Sequence, residues 1–196
     1  NRADGADLCW QQNTLRDALV AGTTLNIFQN HCDRVSMANI AQAVNILQAV
    51  ILTEPGDGRM LLTPTYHVFN MFKVHQDATF IPTSLAGDDY TFETRDGGVA
   101  RVPAVNASAS RDADGVIHVS LCNVDPDTAQ TVTCTLQGAP TANVCGTLLT
   151  DDAMNAHNTF DAPDRLTPTT FDGATLAGDT LTIELPAKSV VTLALT

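Results

Sequence analysis

Aromatic side chains are scarce in this chain. It has one tryptophan, two tyrosines and seven phenylalanines, 5% of 196 residues. A module that grips glycans by stacking rings on sugars needs a cluster of Trp or Tyr. Phe80, Tyr90, Phe92, Phe160 and Phe171 form no such cluster along the sequence. Lysine is nearly missing (Lys73 and Lys188), and the net charge of −12 is carried mainly by aspartate. A surface this acidic repels phosphate backbones, which argues against a nucleic-acid partner and leaves neutral glycans unpenalised. No apolar run reaches the ~20 residues that a helix needs to span a bilayer, so no membrane partner is expected. No signal peptide opens the chain, which begins with polar Asn1-Arg-Ala-Asp-Gly-Ala-Asp7 and has no initiator Met.

Other absences narrow the chemistry. The five cysteines are odd in number and include no CxxC pair. That argues against a disulfide framework or zinc site and for free, mostly buried thiols in a reducing cytoplasm. The five histidines fall at no metal-ligand spacing, and no G-x-S-x-G nucleophile elbow occurs. No metal and no cofactor is expected.

What the chain does have is a long apolar stretch, Arg34 to Leu52, with Asn39, Gln42, Asn45 and Gln48 set into it. A run of this kind predicts a buried strand and the segment leaving it. Buried amides must find partners, since an unpaired one costs on the order of 1–3 kcal/mol. Backbone groups, other amides and a hydroxyl-rich ligand are all suitable.

The chain divides by texture at Asp77. Before it, apolar residues from Leu15 to Phe28 recur near helical spacing on more than one face, with Asn13 as a candidate cap. Val35–Ala41 reads as a parallel strand buried on both faces. Ala43–Thr53 is ambiguous between helix and loop, Glu54–Gly58 is a turn, and Met60–Thr63 is short and extended. Pro64 suits the first turn of a helix running to about Val74. After Asp77 come short alternating stretches separated by Gly/Asp turns: 79–85, 90–93, 102–110, 116–124, 130–136, 143–149, 166–171, 181–185 and 190–195. That pattern predicts an antiparallel sandwich or barrel. The helix near 13–30 and the 35–41 strand have no obvious parallel neighbours in this chain, so partners outside it are expected.

Several long ordered motifs carry a family resemblance. They are Trp10-Gln-Gln-Asn-Thr-Leu-Arg-Asp-Ala-Leu-Val-Ala-Gly22, His31 to Gln48, Leu62-Thr-Pro-Thr-Tyr-His-Val-Phe-Asn-Met-Phe-Lys-Val-His75, Met154-Asn-Ala-His-Asn-Thr-Phe-Asp-Ala-Pro163 and Leu185 to Leu193. Together they resemble the C-terminal portion of family 51 glycoside hydrolases, the α-L-arabinofuranosidases, across nearly the whole chain. The resemblance implies an α/β plus all-β architecture. Residues 1–77 would be the last strand and helices of a (β/α)8 catalytic barrel, incomplete here, and residues 78–196 a C-terminal antiparallel β-sandwich of jelly-roll type. A full barrel needs roughly 250 residues. The implied partners are therefore the remainder of the barrel, arabinofuranosyl-containing glycans and further copies in a homo-oligomer.

A retaining glycosidase needs two carboxylates ~5–5.5 Å apart. The resembled family uses two glutamates on earlier barrel strands, the acid/base in an Asn-Glu pair. This chain has only Glu54, Glu93 and Glu184, none after an Asn, and no catalytic residue is assigned in it. In the family, the glutamine matching Gln42 hydrogen-bonds the arabinose. An amide suits that task because it donates and accepts without adding charge. Gln42 is thus the principal substrate-binding candidate, followed by Trp10, Asn39 and Asn45. Each has a structural alternative: backbone-closing amides, and a packed indole.

The resulting expectation is part of a retaining exo-α-L-arabinofuranosidase in a bacterial cytoplasm, the chain alone being inactive. The alternatives are a non-catalytic glycan-binding module, against which the aromatic scarcity stands, and a structural sandwich that braces the barrel.

Overall fold

The computed structural model describes residues 12–54, 56, 58–138 and 143–196. Two helices, α1 (Leu15–Asn30) and α2 (Pro64–Phe72), precede most of the strands, and a 3-10 turn (Lys73–His75) continues α2. The described residues form thirteen strands, two of them between α1 and α2 and eleven after the 3-10 turn. β1 (Ile51–Thr53) and β2 (Met60–Leu62) form a hairpin, and so do β4 (Asp89–Glu93) and β5 (Val99–Pro103). The six-stranded sheet takes β3 (Thr79–Ile81), β6 (Val105–Arg111), β7 (Ile117–Asn123), β9 (Val144–Leu149), β10 (Thr169–Phe171) and β13 (Ser189–Leu195) in the order β10-β9-β13-β7-β6-β3. The three-stranded sheet has β12 (Thr180–Leu185) between β11 (Ala174–Ala177) and β8 (Gln130–Thr135). All strand pairs are antiparallel. No helix among the described residues is long and apolar enough to cross a membrane.

Period-two alternation sends opposite faces of the central strands into different cores. Ile117 and Leu121 of β7 and Val191, Leu193 and Leu195 of β13 meet Leu181, Ile183 and Leu185 of β12 between the two sheets. Cys122 and Val190 point the other way, into a second cluster with Leu15, Ala18 and Leu19 of α1 and Val68, Met71 and Phe72 of α2. The sheet is covered by strands on one side and helices on the other.

The helix side turns polar toward the end of α1. Asn26 is fully buried, donates to the Asn106 carbonyl (3.3 Å) and accepts from Ser108 Oγ (2.7 Å). Asn30 Nδ2 donates to the Ala107 carbonyl at 2.8 Å. The His75 ring lies between Ser110 Oγ (2.7 Å) and Ser120 Oγ (2.6 Å), and His118 pairs with Asp112 at 2.8 Å. Helix and sheet are thereby sewn together by hydrogen bonds where apolar contact stops.

The structure departs from the sequence reading in several places. Residues 35–40 form no strand: they are irregular, and most of them are exposed. A strand exists through its ladder, and no described strand runs beside this segment. The cap of α1 is Thr14, not Asn13. Its N–H and Oγ1 both donate to Asp17 Oδ2, at 2.7 and 2.8 Å. The predicted 102–110 strand is two strands, β5 and β6, broken at Ala104, and β11 is an additional strand. The four described cysteines are free as expected, but Cys32 and Cys145 are exposed. Cys122 is buried, which pushes its thiol pKa up to about 12. α2 begins at Pro64 as expected, capped by Thr63.

Gly22 sets the approach of α1 to the sheet. A Cβ there would lie 2.7 Å from Cys122 Sγ. Overpacking of this kind costs roughly 1–3 kcal/mol, while alanine gains ~1 kcal/mol over glycine inside a helix. Gly22→Ala should therefore destabilise the native chain yet stabilise a Cys122→Ala background, where the clash is gone. Urea melts of the four species test this, and additive effects would refute the steric account.

The His75 pKa is lowered from 6.5 to about 4, first by burial and then by repulsion from His118. Between those values the unfolded chain takes up a proton that the folded chain refuses. Stability should thus fall as pH drops from 6.5 toward 4, and this contribution levels off below that. His67, lowered by burial, acts in the same direction. In His75→Gln, thermal melts should show a shallower loss over this window. An unchanged slope would assign the acid lability elsewhere.

Candidate functional site

The amide-bearing stretch folds as a compact loop rather than a strand. Its Ala41–Gln42 peptide bond is cis, and Asn45 (φ 63°) and Leu47 (φ 54°) adopt the left-handed conformation. Asn tolerates that region better than most residues. The loop returns on itself through Gln42 N–H to the Ile46 carbonyl (3.3 Å) and Asn45 N–H to the Ile51 carbonyl (3.0 Å).

The candidate amides have different settings. Gln42 and Asn39 are exposed. Both ends of the Asn45 amide are taken by Thr53: Nδ2 donates to Oγ1 at 2.8 Å, and Oδ1 accepts the Thr53 N–H at 2.7 Å. Gln48 Nε2 donates to Asp17 Oδ1 at 3.2 Å, tying the loop to the first turn of α1. Trp10 lies outside the described residues. Gln42, Asn39 and Asn45 share one loop, and Asn45 lines a cavity.

That cavity, about 270 Å³, lies between the start of α1, the β1–β2 hairpin and residues 157–160. The last segment belongs to the Met154–Pro163 motif, and its local function is visible here. The first two helical amides of α1 have no partner within the helix. They donate instead to the carbonyls of Ala156 (2.8 Å, from Leu15) and Met154 (3.1 Å, from Arg16). Gln12 Nε2 and His157 Nε2 are 2.5 Å apart. Asn158 Nδ2 donates to the Leu62 carbonyl (2.9 Å) and the Leu166 carbonyl (3.0 Å), and its Oδ1 accepts the Leu166 N–H (2.7 Å). Gln12, His157 and Asn158 were not singled out from sequence as site residues. Their partners lie up to 145 positions away, so no local spacing marks them.

The three glutamates sit on separate elements. Glu54 is ion-paired with Arg59, whose guanidinium lies 5.4 Å from the centroid of the Phe160 ring. Glu184, on β12, accepts from Thr131 Oγ1 at 2.8 Å. Glu93 is on β4. An open groove of about 640 Å³ runs between Asn30, residues 83–89 and β8. No aromatic ring lines it among the described residues. Among the described residues no group of three or more His, Cys, Asp or Glu could hold a metal ion.

Comparison with known proteins gives a consistent result. The α-L-arabinofuranosidase C-terminal domain family matches residues 3–189. An intracellular exo-α-L-arabinofuranosidase of Bacteroides ovatus is 47% identical over 186 residues, which cover 95% of this chain and 35% of that protein. An intracellular exo-α-(1→5)-L-arabinofuranosidase of Bifidobacterium longum is 30% identical over 189 residues, 92% of this chain and 32% of that protein. The crystal structure of the GH51 arabinofuranosidase from Xanthomonas axonopodis pv. citri superposes with a TM-score of 0.91 at 44% identity. The match covers 98% of this chain and 38% of that one. The chain thus spans about a third of the length of these relatives.

The Asn45 clamp leads to a direct expectation. Asn45→Ala removes two hydrogen bonds and places a less tolerant residue at positive φ, a loss of about 1–2 kcal/mol locally. The Thr53 amide should exchange with deuterium markedly faster, while β7 and β13 amides keep their protection. Unchanged exchange at Thr53 would show that the loop holds without the clamp.

Proposed function

This chain belongs to the α-L-arabinofuranosidase C-terminal domain family of glycoside hydrolase family 51, and from that we propose that it is the C-terminal part of a retaining exo-α-L-arabinofuranosidase. Its substrates would be terminal arabinofuranosyl residues of arabinoxylan, arabinan or their oligosaccharides. The observation that carries the reading is the near-complete match of this chain to one region of longer arabinofuranosidases.

Residues 1–77 are the end of the catalytic barrel in this proposal, and residues 78–196 a C-terminal sandwich that braces it. Surface chemistry supports the division. Among the described residues Val20, Ile27, Met37, Val44, Leu47 and Met60 are large apolar residues left exposed in the first part, against Leu85, Phe92, Val99 and Val102 in the longer second part. Val20 and Ile27 lie seven residues apart on α1, on a stripe away from its sheet contact. An apolar stripe of this kind fits burial against the rest of a barrel, where residues 35–41 would also gain ladder neighbours. The acid/base and the nucleophile belong to the remainder of the polypeptide, since Glu54, Glu93 and Glu184 sit apart on separate elements. We place Gln42 at the sugar as an uncharged donor and acceptor, with Trp10 and Asn39 as further contacts. The family names support a cytoplasmic enzyme, two relatives being called intracellular. A homo-oligomer completes the assembly we propose.

The test uses the whole polypeptide and an aryl α-L-arabinofuranoside. The intact enzyme should release the aryl alcohol, and residues 1–196 alone should not. Gln42→Ala in the intact enzyme should lower kcat/KM by the worth of a buried hydrogen bond, ~1–3 kcal/mol, without loss of fold. Unaltered kinetics would return Gln42 to a structural part. Turnover by residues 1–196 alone would overturn the division of labour.

A further inference from the structure

We propose that the 270 Å³ cavity between α1, the β1–β2 hairpin and residues 157–160, which adjoins the Gln42 loop through Asn45 but does not have Gln42 in its lining, is a carbohydrate-binding subsite sized for one pentosyl unit. It rests on the preceding reading only for the identity of the sugar.

The orientation of Asn13 is the first argument. This residue is 3% exposed, and its Nδ2 donates to the Ala49 carbonyl at 2.9 Å. That bond fixes which way the amide faces. Asn13 is one of the residues lining the cavity, and its Oδ1 is buried with no hydrogen-bond partner. A buried acceptor left bare costs about 1–3 kcal/mol, so the position calls for an O–H or N–H donor from a bound molecule. A sugar hydroxyl is such a donor.

The mixture of surfaces is the second argument. Leu52, Leu61 and Phe160 supply apolar wall, while Thr53, His157 and Asn13 supply polar atoms. A furanose ring has the same division between C–H faces and hydroxyls. The Arg59 guanidinium lies beside the Phe160 ring, and its positive charge is met by Glu54. Glu54, the carboxylate at the cavity, is already paired with Arg59, so the site suits a neutral ligand. Its volume lies at the lower edge of ligand pockets, which fits one sugar unit rather than a chain of them. The larger groove has more room but no ring among the described residues that line it.

The position adds a third argument. The walls come from the two regions that flank the join of helices and sheets, Gln12–Asn13 and His157–Phe160, held together by the Gln12–His157 contact. A sugar seated there touches both, so binding should tighten the join.

The experiment is titration of isotope-labelled residues 1–196 with α-1,5-arabinotriose, followed by amide chemical shifts, with cellotriose as the control. Concentrations of roughly 10–50 mM saturate a contact with Kd of ~1 mM. The expected result is saturable shifts centred on Thr53 and residues 157–160 with arabinotriose and weaker ones with cellotriose. Phe160→Ala should bind about tenfold more weakly, equivalent to ~1.4 kcal/mol. His157→Ala, a half-buried position, is the second variant and should also weaken binding. No saturable shift, meaning a cavity that holds solvent only, would overturn the proposal. Shifts confined to residues 83–89 and 130–133, equal response to cellotriose, or indifference to both substitutions would do so too. Because this readout needs no turnover, its failure is distinct from failure of the hydrolase reading, which is judged by the intact enzyme.

Discussion

The structure depends on one constraint: β7 and β13 must satisfy two cores at once. Val190 and Val191 are adjacent in the chain and both fully buried, yet they belong to different apolar clusters. A strand buried on both faces loses the usual alternation of apolar and polar, and β13 reads as nearly continuous burial. The antiparallel register fixes the partners, pairing Val190 with Cys122 and Val191 with Leu121. A one-residue slip would exchange the two faces and disrupt both cores together. Helices and second sheet are therefore coupled through a single layer.

The helix side of that layer uses two kinds of attachment. Near the start of α1 the contact is apolar and close, with Gly22 against Cys122. Near its end the contact is polar, from Asn26 and Asn30 to Ser108 and to the Asn106 and Ala107 carbonyls of β6. Apolar contact is non-directional and supplies most of the burial free energy. The hydrogen bonds are directional and fix where α1 lies along β6. The Met154 and Ala156 carbonyls hold the other end of the helix, and Asn158 ties that segment to Leu62 and Leu166. The 270 Å³ cavity sits at that join, beside the loop carrying Gln42.

Much of this was legible from sequence. Alternation at 116–124 and 190–195 marked β7 and β13 within a residue or two, and Pro64 marked the start of α2. The family was legible from long ordered motifs. Other features were hidden for physical reasons. Apolarity at Val35–Ala41 reports a wish for burial but cannot supply the neighbouring strands. β5 and β6 merged in the reading because one residue, Ala104, separates them. β11 was missed because four residues between glycine turns leave almost no pattern. At the candidate site, the sequence singled out Asn45 but not its use, since an amide inside an apolar run looks the same whether it meets a ligand or Thr53. Gln12, Asn13 and His157 meet only after the whole chain has folded.

The strand order also has a consequence in time. β13 lies between β9 and β7, so without it the large sheet is two separate pieces, β10-β9 and β7-β6-β3. Both pieces are synthesised before β13, which is residues 189–195. A ribosome adds roughly 5–20 residues per second. The hairpin of β6 and β7 can close early because its partners are close in sequence, whereas joining the two pieces waits for the last strand to emerge. Until then each piece presents an unpaired edge where β13 will lie, the kind of edge on which nascent chains misassociate. Translation itself thus leaves a window in which these edges are open, and the arrival of β13 closes it.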